Sequence, residues 1–329
     1  MRCGAFPHLA IFVLLAIPTS PAYSQIAPAV SSQAGSIVYL DANHDVWVTS
    51  PDGVTKHRIT SDGATQHYVS PSETDAGIIV ASGKQAFFHY FNQDGSKARG
   101  PFTVLDIACP SIDPPFTSQV NPQGTMVVYY YLDAPGCVRS RGFRVAFANT
   151  NSLTGKGVYD QWWGSHPRWV PGTNYAAYVS EQGSQLETTN SHTQESVWIR
   201  DSKGGLRSFD ISRTGNKVLI ARASSTDPRS RSDLLLWQNK GTPPASGSAV
   251  CAVPGWGEND EAGRSIPRWS PDATQFTWSD SRGVWVSPAP VAGTSGECVI
   301  HPKLIVPGGS SPDWGLPNAG AKPRGTTQR

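Results

Sequence analysis

Two clusters in the chain combine side chains able to hold a ligand or move a proton. Trp162, Trp163 and His166 form one, and Trp256, Glu258, Asp260 and Glu261 form the other. Indole faces stack on the apolar side of a sugar or on a peptide plane, and carboxylates accept hydrogen bonds from hydroxyls and amides, so the pair suits a glycan or peptide site. Two carboxyl groups held roughly 5 to 9 Å apart on different elements would also support acid–base hydrolysis, with Glu258, Asp260 or Glu261 as acid or base. The commoner enzyme signatures are missing. The chain has no Gly-x-Ser-x-Gly elbow, no His-Glu-x-x-His and no Gly-x-x-x-x-Gly-Lys loop, and Gly155-Lys156 lacks the earlier glycine that a phosphate loop needs.

Metal and cofactor chemistry finds little support either. Asp41, Asn43 and Asp45 alternate like the opening of a calcium loop, but no glutamate follows where a bidentate ligand is needed. Ser270-Pro271-Asp272-Ala273 resembles an Asp box, yet Thr274 stands where that motif has glycine. The cysteines form no Cys-x-x-Cys pair and the histidines are scattered, so no metal site and no cofactor are expected. A formal net charge of +2, without a block of like charges, argues against a nucleic-acid partner.

The elements that must position the two clusters follow from composition and from a repeat. With 32 glycines, 27 prolines and only 16% charged residues, against a usual value of about 25%, the chain is turn-rich, and long charged helices are excluded. A short turn-like segment recurs ahead of an apolar strand: Val69-Ser70-Pro71, Val120-Asn121-Pro122, Trp169-Val170-Pro171, Ile211-Ser212-Arg213, Trp269-Ser270-Pro271, and last Ser311-Pro312-Asp313-Trp314 with no strand behind it. Taking positions 71, 122, 171, 213, 271 and 312 as equivalent gives spacings of 51, 49, 42, 58 and 41, the size of propeller blades. A second strand follows each time, with alternating aromatic and branched residues such as Val46-Trp47-Val48, Val197-Trp198-Ile199 and Val284-Trp285-Val286.

The ends of the chain complement each other. The first strand pair, Ile37 to Leu40 and Asp45 to Thr49, has no turn segment before it, and Ser311 to Trp314 has no strand pair after it. Together they make one blade. The sequence therefore predicts an all-β chain: a six-bladed β-propeller of four-stranded antiparallel blades, with the C-terminal strand completing the N-terminal blade and closing the ring.

Pro267-Arg268-Trp269-Ser270-Pro271-Asp272 and Asp45-Val46-Trp47-Val48-Thr49-Ser50-Pro51-Asp52-Gly53, with a partial copy at Pro167-Arg168-Trp169-Val170-Pro171-Gly172, resemble the repeat of the TolB-like six-bladed propeller family. The resemblance covers residues 35 to 316. It implies the propeller fold, without the N-terminal domain that the periplasmic TolB protein carries.

In such blades the connections entering the innermost strands and those joining the middle pair open on one face, where both aromatic clusters are expected to lie. A rigid ring presenting many loops, with no catalytic set, points to a non-enzymatic scaffold that binds a protein or peptide partner through its loop face or channel mouth. A carbohydrate-active or other small-molecule enzyme using the loop-face carboxylates, with a glycan as ligand, is one alternative. A structural module of an envelope complex is another.

Compartment is read from the N-terminus. Arg2, the apolar run Leu9 to Ile17 and the small residues of Ala22-Tyr23-Ser24 predict a signal peptide over 1–24, then a linker over 25–34, the propeller over 35–316 and a disordered tail over 317–329. The run is too short for a membrane span. An exported location, periplasmic or secreted, makes disulfides expected among Cys109, Cys137, Cys251 and Cys298, with Cys109 to Cys137 and Cys251 to Cys298 as the pairing.

Overall fold

The computed structural model describes residues 35–84, 87–103, 117–132, 143–149, 158–173, 175–190, 195–202, 205–225, 230–241, 243–257 and 265–319. They form six four-stranded antiparallel blades of a β-propeller. From the innermost strand outward, blade 1 is Ser310–Gly315, Ser36–Leu40, Val46–Thr49 and Lys56–Arg58. Blade 2 is Val69–Glu73, Ile78–Ser82, Phe87–Asn92 and Lys97–Thr103. Blade 3 begins Thr117–Val120, Met126–Leu132, Phe143–Asn149, and blade 4 ends Tyr175–Ser180, Gln185–Asn190, Glu195–Arg200. Blade 5 is Leu206–Ile211, Lys217–Ala223, Ser232–Asn239 and Gly247–Gly257; blade 6 is Arg268–Trp269, Gln275–Asp280, Gly283–Pro288 and Lys303–Pro307.

One long strand, Val158–Trp169, serves two blades. Trp162 and Trp163 pair with Val145 and Arg144 on the outer edge of blade 3, whereas Gly164 to Trp169 pair with Ser180 to Ala176 as the innermost strand of blade 4. Gly164 is the crossover. A Cβ there would lie 2.5 Å from both the Tyr178 ring and the Val179 carbonyl oxygen, so only glycine lets the strand pass between blades.

Strand alternation builds the core. Side chains of one strand point to the preceding and following blade in turn, so Ile37 and Tyr39 pack on Val284, Val286 and Val306 of blade 6, while Val38 and Leu40 pack on Ile79 and Ala81 of blade 2. Six apolar clusters among the described residues correspond to the six contacts between neighbouring blades. Where the chain's two ends meet, Ser310–Gly315 pairs with Ser36–Leu40, with Trp314 opposite Ile37 and Asp313 opposite Val38.

The repeat register needs one correction. In blade 2 the hairpin turn equivalent to Asn121–Gly124 is Thr74–Gly77, closed by the Gly77 N–H donating to the Thr74 carbonyl as Gly124 donates to Asn121. Ser70-Pro71 and Ser311-Pro312 lie inside innermost strands instead. They match His166-Pro167, because Ser70, His166 and Ser311 each take a left-handed backbone, with φ of 47°, 52° and 50°, at a break in strand register. Two kinds of Ser-Pro, one in a bulge and one in a turn, look alike in sequence.

Candidate functional site

The innermost strands carry a ring of six equivalent side chains: Asp313, Ser72, Gln119, Arg168, Asp210 and Arg268, in blade order. Each sits opposite the corresponding residue of its second strand, as Arg168 opposes Ala177, Asp210 opposes Leu219 and Arg268 opposes Thr277. Each also reaches the following blade. Ser72 Oγ accepts the Val120 N–H at 3.1 Å, Gln119 Oε1 the Trp169 N–H at 3.0 Å and Asp210 Oδ2 the Trp269 N–H at 2.7 Å. Asp313 accepts the Glu73 N–H. An arginine cannot accept. Arg168 and Arg268 make ion pairs to the next blade instead, at 3.4 Å to Asp210 and 3.3 Å to Asp313. All six neighbouring pairs are thus clasped by one belt of polar groups, buried apart from the partly exposed Gln119. Burial pushes the Asp210 carboxyl up to about 7 against the pull of Arg168, raises Asp313, and holds the Arg168 guanidinium below its usual value.

The residue after each belt position points back to the preceding blade. It is tryptophan in three blades: Trp169, Trp269 and Trp314. Trp169 donates its indole N–H to the Gln119 carbonyl and meets Phe147 edge-on, both in blade 3. In blade 2 the position holds Glu73, which is buried among Ser36, Gln93 and Gly315 at the junction with blade 1.

Two spaces flank the belt. Toward the face that carries the blade-to-blade connections lies a volume of only about 20 Å³, lined by Ser70, Thr117, Arg168, Ile266, Arg268 and Ser311. Toward the opposite face, where the first hairpin turn of each blade lies, a cavity of about 680 Å³ opens at the channel mouth. Gln119, Asn121, Gln123, Met126, Trp169, Asp210, Trp269 and Trp314 contribute to its wall. At its rim Arg213 Nη1 lies 2.6 Å from Asp75 Oδ1, each side chain about one third exposed. Asp75 belongs to the turn of blade 2 and Arg213 to that of blade 5, so the ion pair spans the mouth between opposite blades.

The clusters predicted from sequence are placed differently. Trp163 and His166 lie on the shared strand, where a loop was expected, because that strand runs from blade 3 into blade 4 without a break. His166 packs on Tyr130 with ring centres 5.0 Å apart, and desolvation with Arg168 lowers its pKa to about 3, which keeps it neutral. Trp256 is 9% exposed and packs on Phe276 and Trp278 between blades 5 and 6. The side chain of Trp162, and all of Glu258, Asp260 and Glu261, lie outside the described residues, as do Cys109 and Cys137. Cys251 and Cys298 are joined in a disulfide that ties the outer strand of blade 5 to a short hairpin of blade 6. Asp41 and Asp45 are engaged by the chain itself: Asp41 accepts the Trp47 indole N–H, and Asp45 accepts from Thr60 and the Gly63 N–H. No group of three metal-ligating side chains occurs among the described residues, and none of their helices is long and apolar enough to cross a membrane.

The sequence pointed to the channel mouth as one of two candidate surfaces but did not identify the residues that line it. Its signal was the pair Pro167-Arg168-Trp169 and Pro267-Arg268-Trp269, noticed as a repeat but not as channel-lining chemistry.

No family model matches the chain, and no curated protein does. Solved structures do resemble it in shape. A chain of a nidogen/laminin complex aligns with a TM-score of 0.55 at 8% identity, covering 84% of this chain and 97% of that one. A functionally unknown protein from Desulfotomaculum acetoxidans gives 0.54 at 12% identity, covering 87% and 88%. The β-propeller domain of Myceliophteria thermophila Cps50 (Swd1) gives 0.51 at 8% identity, covering 84% and 85%. At such identities the likeness is one of fold.

Proposed function

We propose that this protein is an exported, non-enzymatic recognition scaffold of the TolB-like propeller type, which binds a protein or peptide partner at the channel mouth. The observation that carries the proposal is the cavity of about 680 Å³ whose rim is spanned by Arg213 and Asp75. A concave site with aromatic walls and a few convergent polar groups is what an extended peptide needs, and a clasped belt beneath it keeps the site preformed. Export accords with the leader pattern at residues 1–24 and with the Cys251–Cys298 disulfide, a bond that persists in oxidising compartments.

The test is selection of a displayed random-peptide library on the intact protein, followed by binding measurements against Gln123→Trp. Gln123 is an exposed residue of the cavity wall, so a tryptophan there fills the mouth without touching the belt. Peptides that bind wild type and lose at least tenfold in affinity for the filled variant support the proposal. Peptides that bind both equally move the contact elsewhere, with the face carrying Trp163 and Trp256 as the next surface to probe.

A further inference from the structure

The turn position next to the belt is proline in blades 3, 4 and 6, at Pro122, Pro171 and Pro271. In blades 2 and 5 it is Asp75 and Arg213. These two departures fall in opposite blades and meet across the channel at 2.6 Å. Proline would suit the backbone shape of both turns, since φ near −65° is what such a position takes, but at position 75 it would remove the N–H that donates to the Pro122 carbonyl. What the charged pair adds is a cation held over the mouth by a carboxylate of the far rim.

The wall below that pair is acidic. Glu73, Asp75, Asp210 and Asp313 line the cavity together with one cation among the described residues, Arg213. Arg168 and Arg268, which pair with the two belt aspartates, line the small space on the other side of the belt, as Asp313 also does, and not the cavity. A positive group is therefore what the mouth lacks once Arg213 is drawn aside. A second, independent feature points to a ligand that also carries a carbonyl. Trp269 lines the cavity, is 4% exposed, and its indole N–H has no hydrogen-bond partner. A buried donor without an acceptor is destabilising, and an incoming carbonyl oxygen would relieve that.

We infer that the channel mouth is a subsite for a basic side chain, an arginine or lysine presented by an extended peptide, and that Arg213 is a resident surrogate which such a side chain displaces from Asp75. The inference rests on the peptide-binding role proposed above and names the chemistry of the partner. The ligand guanidinium or ammonium takes the place of the Arg213 head at Asp75, its main-chain carbonyl accepts from Trp269, and Arg213 swings out to solvent.

The surrogate has a sign that a direct contact does not. Removing Arg213 removes a competitor, so binding should tighten; removing Asp75 takes away the shared acceptor, so binding should weaken. Titration calorimetry of the full chain at low ionic strength with the blocked peptide Gly-Ser-Arg-Ser-Gly tests this beside its citrulline counterpart, which keeps the shape and removes the charge, and its aspartate counterpart, which reverses the charge. Expected are binding of the arginine peptide at least tenfold tighter than the citrulline one, a tenfold or greater gain with Arg213→Ala, and a tenfold or greater loss with Asp75→Asn. Preference for the aspartate peptide, weaker binding by Arg213→Ala, or no binding of the arginine peptide to Arg213→Ala each overturns the inference. The library selection separates the two levels: mouth-dependent peptides without basic residues leave the peptide-binding role standing and remove this subsite. If no peptide depends on the mouth, the broader role falls.

Discussion

The fold should weaken as pH rises from about 4.5 to about 8, and Glu73 should account for much of the change. Glu73 stands between blades 1 and 2, where Gln93 Nε2 donates to its Oε1 and Ser36 Oγ lies 2.8 Å from its Oε2. Ser36 Oγ also lies 2.7 Å from the Pro317 carbonyl oxygen. A hydroxyl has one proton, so it cannot donate to both oxygens. Both contacts are satisfied when Glu73 is protonated, donates to Ser36 Oγ, and Ser36 donates onward to Pro317. The same state follows from burial, which pushes the carboxyl from 4.5 to about 8. The groups facing it pull in opposite directions: Asp313 raises it further, and the hydrogen bonds and Arg213 lower it.

A carboxyl whose folded pKa is raised contributes most below its unfolded value and loses that contribution as pH climbs through the folded value. The gap between 4.5 and about 8, at about 1.4 kcal/mol per pH unit, gives roughly 5 kcal/mol over the window. Glu73→Gln keeps the arrangement, since the amide NH₂ donates to Ser36 and the amide oxygen accepts from Gln93, but it cannot ionise. Urea unfolding followed by tryptophan fluorescence at pH 5, 7 and 9 should show wild type losing several kcal/mol relative to Glu73→Gln. Contributions of groups that do not interact with Glu73, such as Asp210, cancel in that difference, whereas the repulsion from Asp313 is part of the Glu73 effect. Parallel pH profiles for the two proteins would refute the protonated junction.

Other perturbations act on the belt and on the ends of the chain. Arg268→Met leaves Asp313 buried without its ion-pair partner and should cost about 3–5 kcal/mol, with part of the loss recovered by Asp313→Asn in the same chain; a denaturation double-mutant cycle measures both. Gly315→Ala sets a Cβ at 1.9 Å from Glu73 Oε2, where the carboxyl is held by its hydrogen bonds, so a loss of about 1–3 kcal/mol is expected in thermal unfolding. Cys298→Ser opens a loop with a sequence separation of 47 and should lower stability by about 2–4 kcal/mol; a variant as stable as wild type would mean that the bridge only decorates the rim.

The blade count was legible because the tryptophans and branched residues recur with the pleat, and because Ile37 to Leu40 and Ser311 to Trp314 each lack what the other has. The register in blades 1 and 2 was not, since the bulges at Ser70 and Ser311 depend on positive φ, which a serine does not announce. Disulfide partners Cys251 and Cys298 were within reach of sequence. The placement of Trp163 and His166 was not, because the blade crossover without a loop rests on a single glycine at position 164. The lining of the channel mouth was not legible for a further reason: its wall is assembled from equivalent positions in several blades, about 40 to 60 residues apart in sequence.

That dispersal also explains why the mouth can carry specificity at little risk to the fold. Cohesion between blades comes from the six apolar clusters and the belt, whose acceptors are fixed by backbone N–H groups of the next strand. The turn residues beyond the belt add little to this; among them the Asp75 N–H donates to the Pro122 carbonyl of blade 3. Proline at three of them sets backbone shape alone, and exchanging it for Asp75 and Arg213 leaves the hairpins closed, as the Gly77 and Gly215 N–H bonds to Thr74 and Ser212 attest. A ring of turns of differing residues above the clasp lets side-chain charge be written at the rim at little cost to the contacts between blades. In this chain it is written as an opposed pair, so a partner must break one intramolecular contact to make its own, and its affinity is the difference between the two.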